Sequence, residues 1–66
     1  MNWDQIEGNW KQYKGKIMSK WGKLTADDIE SIKGQRTELL GLLQSRYGTA
    51  KEKAEREIDQ WVKQIN

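Results

Sequence analysis

Seven apolar side chains, Trp3, Ile6, Trp10, Tyr13, Ile17, Trp21 and Leu24, recur at steps of 3, 4, 3, 4, 4 and 3. At about 100° per residue they fall inside about 80° of arc, the narrow stripe of an amphipathic helix that other helices must cover. Proline is absent and β-branched residues are few, so turns are marked by glycine and the pattern is all-helical. Asn2 is placed to cap this first helix, with Asp4 in its first turn and Gly22 as its stop.

The rest of the chain continues in the same manner. Thr25-Ala26-Asp27-Asp28 reads as a cap with acids in the first turn, opening a short helix that carries Ile29 and Ile32 and stops at Gly34. Leu39, Leu40, Leu42, Leu43 and Tyr47 define a third helix ending at Gly48. Thr49-Ala50-Lys51-Glu52 has the T-x-x-E capping-box form and opens a fourth, with Ala54, Ile58, Trp61, Val62 and Ile65 on one face. Four helices in one domain spanning residues 1–66 are expected. The core residues are expected to be Trp10, Ile17, Trp21, Leu39, Leu43, Tyr47, Ile58 and Trp61.

An internal repeat underlies this order. Residues Gly15–Gly22 and Gly41–Gly48 share the pattern G-x-[IL]-x-S-[KR]-[WY]-G at an offset of 26, and each copy is followed by Thr-Ala. Two related helical hairpins, packed on each other across a pseudo-two-fold axis, account for it. Gly8, Gly15 and Gly41 project away from the apolar stripes, where each costs about 1 kcal/mol relative to alanine inside a helix. Either the first helix bends or breaks near Gly15, or these glycines leave room for backbone approach on the outer face.

Residue types limit the chemistry. With no cysteine and no histidine, the usual zinc, haem and iron–sulfur ligands, a thiol nucleophile, an imidazole base and a stapling disulfide are all missing. Asp27, Asp28 and Glu30, or Glu52, Glu55, Glu57 and Asp59, could in principle serve acid–base work or hold a hard cation. A chain of 66 residues has little room for the cleft that separates two carboxylate pKa values, and a calcium loop's central glycine is lacking. No phosphate-cradling glycine motif occurs. No catalytic residue, metal or cofactor is expected. The longest apolar runs are two residues, too short for a membrane span, and a cytoplasmic protein is expected.

Charge is weakly basic overall, at +2, and concentrated at the start. Residues 1–24 carry Lys11, Lys14, Lys16, Lys20 and Lys23 against Asp4 and Glu7 only. These five lysines are the candidate site for a polyanion such as nucleic acid, although the turn at Tyr47-Gly48-Thr49 has one glycine where a helix–hairpin–helix motif has two. Lysines bordering a Trp/Ile stripe also suit an interfacial membrane helix, but the other helices offer matching apolar faces, so burial of the stripe is the expected outcome. Glu7–Lys11, Glu52–Arg56 and Asp59–Lys63 are spaced for pairing along a helix.

Several of these segments together resemble a known family. Gly8-Asn-Trp-Lys-Gln-Tyr-Lys-Gly15-Lys-Ile17, Trp21-Gly-Lys-Leu-Thr-Ala-Asp-Asp28, Gly34, Gly41 and Arg46-Tyr47-Gly48 occur in the order seen in the CsbD-like family of small bacterial proteins, and the likeness spans essentially the whole chain. The resemblance implies a SAM-like fold of two helical hairpins and a cytosolic, non-enzymatic protein of the general stress response. It brings no active-site residues. Ser19 and Ser45 stand where family members often carry an acid. The expected function is a monomeric binding or protective module. The alternatives are a nucleic-acid-binding module using the basic first helix, or a hydrophilin-like protectant, which a mean hydropathy of −1.04 would suit.

Overall fold

The computed structural model describes residues 2–65. They form five helices, α1 (Trp3–Gly8), α2 (Trp10–Lys20), α3 (Ala26–Ile32), α4 (Arg36–Tyr47) and α5 (Lys51–Gln64), with no strand among them. Each helix packs on the next in sequence. The Cα radius of gyration is 10.7 Å. A folded chain of this length has about 11 Å and an unfolded one more than twice that, so the hydrophilic composition has not prevented collapse.

The fifth helix arises because the first apolar stripe is carried by two helices rather than one. The break falls at Asn9 (φ −121°, ψ 39°), not at Gly15, which lies inside α2. The cause is local. Asn9 shares its backbone N–H between the carbonyls of Gln5 and Ile6, both at 3.2 Å, and turns its side-chain Nδ2 back to the Gln5 carbonyl at 3.1 Å. An asparagine side chain that competes for backbone partners, beside a glycine of low helix propensity, terminates the helix. At the other end of α1, Asn2 and Gln5 form a reciprocal capping box.

The remaining boundaries follow their caps. Thr25 Oγ1 accepts the Asp28 N–H at 3.1 Å, and Asp28 Oδ2 accepts the Thr25 N–H at 3.1 Å, closing the box that opens α3. Helix α3 ends through Lys33 and Gly34, at φ 51° and 76°, and α4 ends on Gly48 at φ 64°. By contrast, α2 ends on Trp21 (φ −119°) with no left-handed residue, so Gly22 is not the stop its position suggested. The expected Thr49 box is also absent. Ala50 is the N-cap of α5, and the Thr49 hydroxyl faces the Leu43 carbonyl instead.

The core gathers side chains from every helix. Ile6, Ile17, Ile32, Leu39, Leu43, Ala54 and Ile58 have no solvent exposure, and Trp21, Leu24, Ile29 and Trp61 retain only a few per cent. Trp61 is the hub of the rings. Its centroid lies 6.4 Å from Trp3, 6.5 Å from Tyr13 and 5.5 Å from Trp21, all in tilted or edge-on geometries. Such pairs contribute about 0.5–1.5 kcal/mol each beyond their buried area. Trp10 and Tyr47, expected inside, are half-buried and pack on the rim of this core. Trp10 sits at the start of α2 with its ring 6.5 Å from that of Trp3, and Tyr47 reaches to the loop after α2, where its Oη accepts the Lys23 N–H.

Candidate functional site

The final turn of α4 holds the loop that leads from α2 into α3. Arg46 donates to Asp28 through both arms of its guanidinium, Nε to Oδ2 at 3.1 Å and an Nη to Oδ1 at 2.8 Å. Asp28 is almost wholly buried. The Arg46 hydrogen bonds, aided by the Thr25 N–H and opposed by burial, lower its pKa from 3.8 to about 2, and the Arg46 pKa is raised in turn. The adjacent Tyr47 Oη accepts the Lys23 N–H at 3.1 Å, while the Lys23 ammonium sits 5.2 Å from the centre of the Tyr47 ring. Ser31 closes the cluster by donating to the Asp28 carbonyl at 2.6 Å.

A second clasp ties α1 to the turn between α3 and α4. Trp3 Nε1–H donates to the Gly34 carbonyl at 2.9 Å, and Gln35 Nε2 donates to Glu7 at 3.1 Å. A Cβ on Gly34 would stand 3.1 Å from Glu7 Cγ, so the side chain that would crowd this approach is absent, and φ 76° favours glycine as well.

The ion pairs among the described residues link successive helices: Lys14–Glu30 at 2.7 Å (α2 to α3), Arg46–Asp28 (α3 to α4) and Arg36–Asp59 at 2.9 Å (α4 to α5). None of the three expected pairs along a helix is among them. Glu7 is engaged by Gln35 and Asp59 by Arg36, and exposed pairs one turn apart gain too little to compete. The same contacts disperse the two acidic groups considered for chemistry. No three acidic side chains gather in metal-binding geometry among the described residues.

The five candidate lysines fall into two sets. Lys14 is paired with Glu30, and Lys23 lies over Tyr47. Lys11, Lys16 and Lys20 are exposed on α2 and make no ion pair with a described residue, although Lys16 rests 5.3 Å from the Tyr13 ring centre. Residues 8–26 contain all five lysines and no acid, so α2 itself carries only positive charge, with Glu7 bordering Lys11 and Glu30 pairing with Lys14 from neighbouring elements. The concave features nearby are shallow: one groove at the α1–α2 break, lined by Glu7, Trp10 and Lys11, and one beside Trp3, Arg36 and Asp59. No helix among the described residues is long and apolar enough to cross a membrane.

The contacts of Asp28, Arg46, Tyr47 and Gly34 thus give a structural task to the strings on which the family resemblance rests. The sequence model of the CsbD-like family matches residues 4–56. The chain belongs to the CsbD-like family. Among relatives, this CsbD-like chain is 54% identical over 63 residues to the UPF0337 protein YjbJ of Escherichia coli O6:H1, covering 96% of this chain and 91% of that protein. It is 56% identical over 61 residues to the UPF0337 protein ECA0631 of Pectobacterium atrosepticum, covering 92% and 88%. It is 52% identical over 61 residues to the UPF0337 protein RPA4217 of Rhodopseudomonas palustris, covering 92% of each chain.

Sequence reasoning missed the Asp28–Arg46 fork and the clasp of α1 on Gly34. The only available signal was that R-Y-G and T-x-D-D recur together as family strings. Periodicity cannot pair charges 18 residues apart.

Proposed function

We propose that the chain is a folded, non-catalytic module of the bacterial general stress response, acting in the cytoplasm by binding through its hydrated surface. The observation that carries this reading is the role of the family's signature residues. Trp21, Thr25, Asp28, Arg46 and Tyr47 are engaged with one another or with the core. A catalytic site would leave such groups directed into a cleft. What the fold presents outward is charge, not a cavity. The stress assignment comes from membership in the CsbD-like family. The packing of α2 on α3 and of α4 on α5 supports the reading of the repeat as two helical hairpins of the SAM-like kind.

The competing protectant reading requires only a hydrated chain, with no dependence on fold. Complementation separates the two. A strain lacking the gene is challenged by osmotic, heat or starvation stress and supplied with wild type or with Trp61→Ala, expressed to equal levels. Rescue by wild type alone supports the folded module. Equal rescue by an unfolded Trp61→Ala chain overturns it in favour of the protectant.

A further inference from the structure

We propose that the outer face of α2 docks on the phosphate backbones of double-stranded DNA, with Lys11 on one flank of the helix and Lys16 and Lys20 on the other. The inference rests on the binding-module reading and gives it a partner. At about 100° per residue, Lys11 stands roughly 140–180° around the helix from Lys16 and Lys20, and Gly15, Ser19 and Gln12 occupy the arc between them. All six residues are exposed, and a Cβ on Gly15 would meet nothing within 4 Å. The face is therefore a central strip, low at Gly15 and Ser19 with the longer Gln12 beside them, between two positive edges.

That shape and charge fit a duplex. An α-helix with its side chains is about 10–12 Å across, and the major groove of B-form DNA is about 12 Å wide, so a helix seated there directs its two flanks at opposite phosphate backbones. Lys11 and Lys20 are separated by about 14 Å along the axis at 1.5 Å per residue, so the lysines engage several phosphates. The small residues of the strip let the backbone approach, and residues 8–26 bring no acid to repel the phosphates. The deep, narrow major groove of duplex RNA excludes the same helix. A membrane is the poorer partner, because the apolar stripe of α2 that would insert is turned inward, with Ile17 and Trp21 at 0% and 3% exposure. Binding of this kind is electrostatic and independent of sequence.

Fluorescence anisotropy with a labelled DNA duplex of mixed sequence, at low and stepped salt, tests the proposal. Wild type binds, and Lys11→Gln/Lys16→Gln/Lys20→Gln lowers affinity at least tenfold and flattens the slope of log K against log salt by about 2.7, at about 0.9 per lost phosphate contact. The repeat supplies a matched control for position. Gly15→Glu/Ser19→Glu on α2 abolishes binding, whereas Gly41→Glu/Ser45→Glu, the same charge change at the equivalent exposed positions of α4, retains most of it. Urea unfolding of each variant separates loss of the face from loss of the fold. No anisotropy change for wild type at low salt overturns the proposal, as does equal weakening by the two Glu pairs. Tighter binding to duplex RNA or to phosphatidylglycerol vesicles than to the DNA also overturns it. Should the folded protein fail to bind DNA yet rescue stressed cells in a fold-dependent way, the DNA inference falls and the module reading stands.

Discussion

Replacing Gly15 or Gly41 with alanine makes the protein more stable, and the structure says by how much. Both glycines lie inside helices, α2 and α4, and both are exposed. A Cβ built on either meets nothing within 4 Å, so neither a clash nor a packing gain enters the balance. What remains is the helix-propensity difference, about 0.8–1.0 kcal/mol per site in favour of alanine. Sites on different helices with no shared partner add, so the double variant gains about 2 kcal/mol. Against the roughly 3–10 kcal/mol that a domain of this size retains, that is a large fraction. It corresponds to a rise in Tm of about 4–8 °C per site. Gly48 and Gly34 give the opposite sign. Their φ angles are +64° and +76°, where an L side chain costs about 1–2 kcal/mol, and at Gly34 the added methyl also crowds Glu7. Urea titrations followed by far-UV circular dichroism read all four variants, with the m-value unchanged for the α2 and α4 pair. A loss of stability in Gly15→Ala or Gly41→Ala would refute the reasoning, since it would mean that one of these faces is covered in solution or that its helix is not continuous there.

Other expected outcomes bear on the core and the clasps. Trp61→Ala removes the hub of the ring cluster at a cost of about 3–5 kcal/mol, comparable to the whole stability of the domain, so helicity at 25 °C collapses; Trp61→Phe retains it. The Asp28–Arg46 pair gives an acid-dependent term. Because the folded pKa is lowered, the stabilisation is complete above the ordinary value of 3.8 and is lost as pH falls from there toward about 2. Urea midpoints measured across that window fall less steeply in Asp28→Asn than in wild type, and Asp28→Asn is the less stable protein at neutral pH. Trp3→Phe keeps the ring but loses the donor to the Gly34 carbonyl, which lowers stability by about 1 kcal/mol in the same titration. Lys14→Ala breaks a pair whose Glu30 side is open to solvent and changes stability by less than about 1 kcal/mol.

Helical periodicity is a local property, and it was legible. The apolar spacing and its flanking stops placed α3, α5 and the C-terminal end of α4 within about two residues of their observed ends, and the Thr25 cap formed as its residues suggest. The start of α4 at Arg36, by contrast, lies three residues before the first leucine of its pattern. The misreadings have physical reasons. Gly8 and Gly15 share the lowest helix propensity in the first segment, yet the helix breaks only beside Gly8, where the Asn9 side-chain amide also satisfies the Gln5 carbonyl. Thr49 and Glu52 have the right spacing for a box, but the left-handed Gly48 sets the chain so that Ala50 becomes the cap. For the candidate surface, sequence supplied the five lysines but not which of them are engaged. The partner of Lys14 is 16 residues away and that of Lys23 is 24 away, and only tertiary packing brings them together.

The position of Trp61 has a consequence for biogenesis. Trp3, Tyr13 and Trp21 all lean on a ring supplied by α5, so a nascent chain that has delivered α1 through α4 still lacks the surface on which those aromatics rest. Consolidation must therefore wait until α5 has emerged, and the polypeptide carries unsheltered indoles until then.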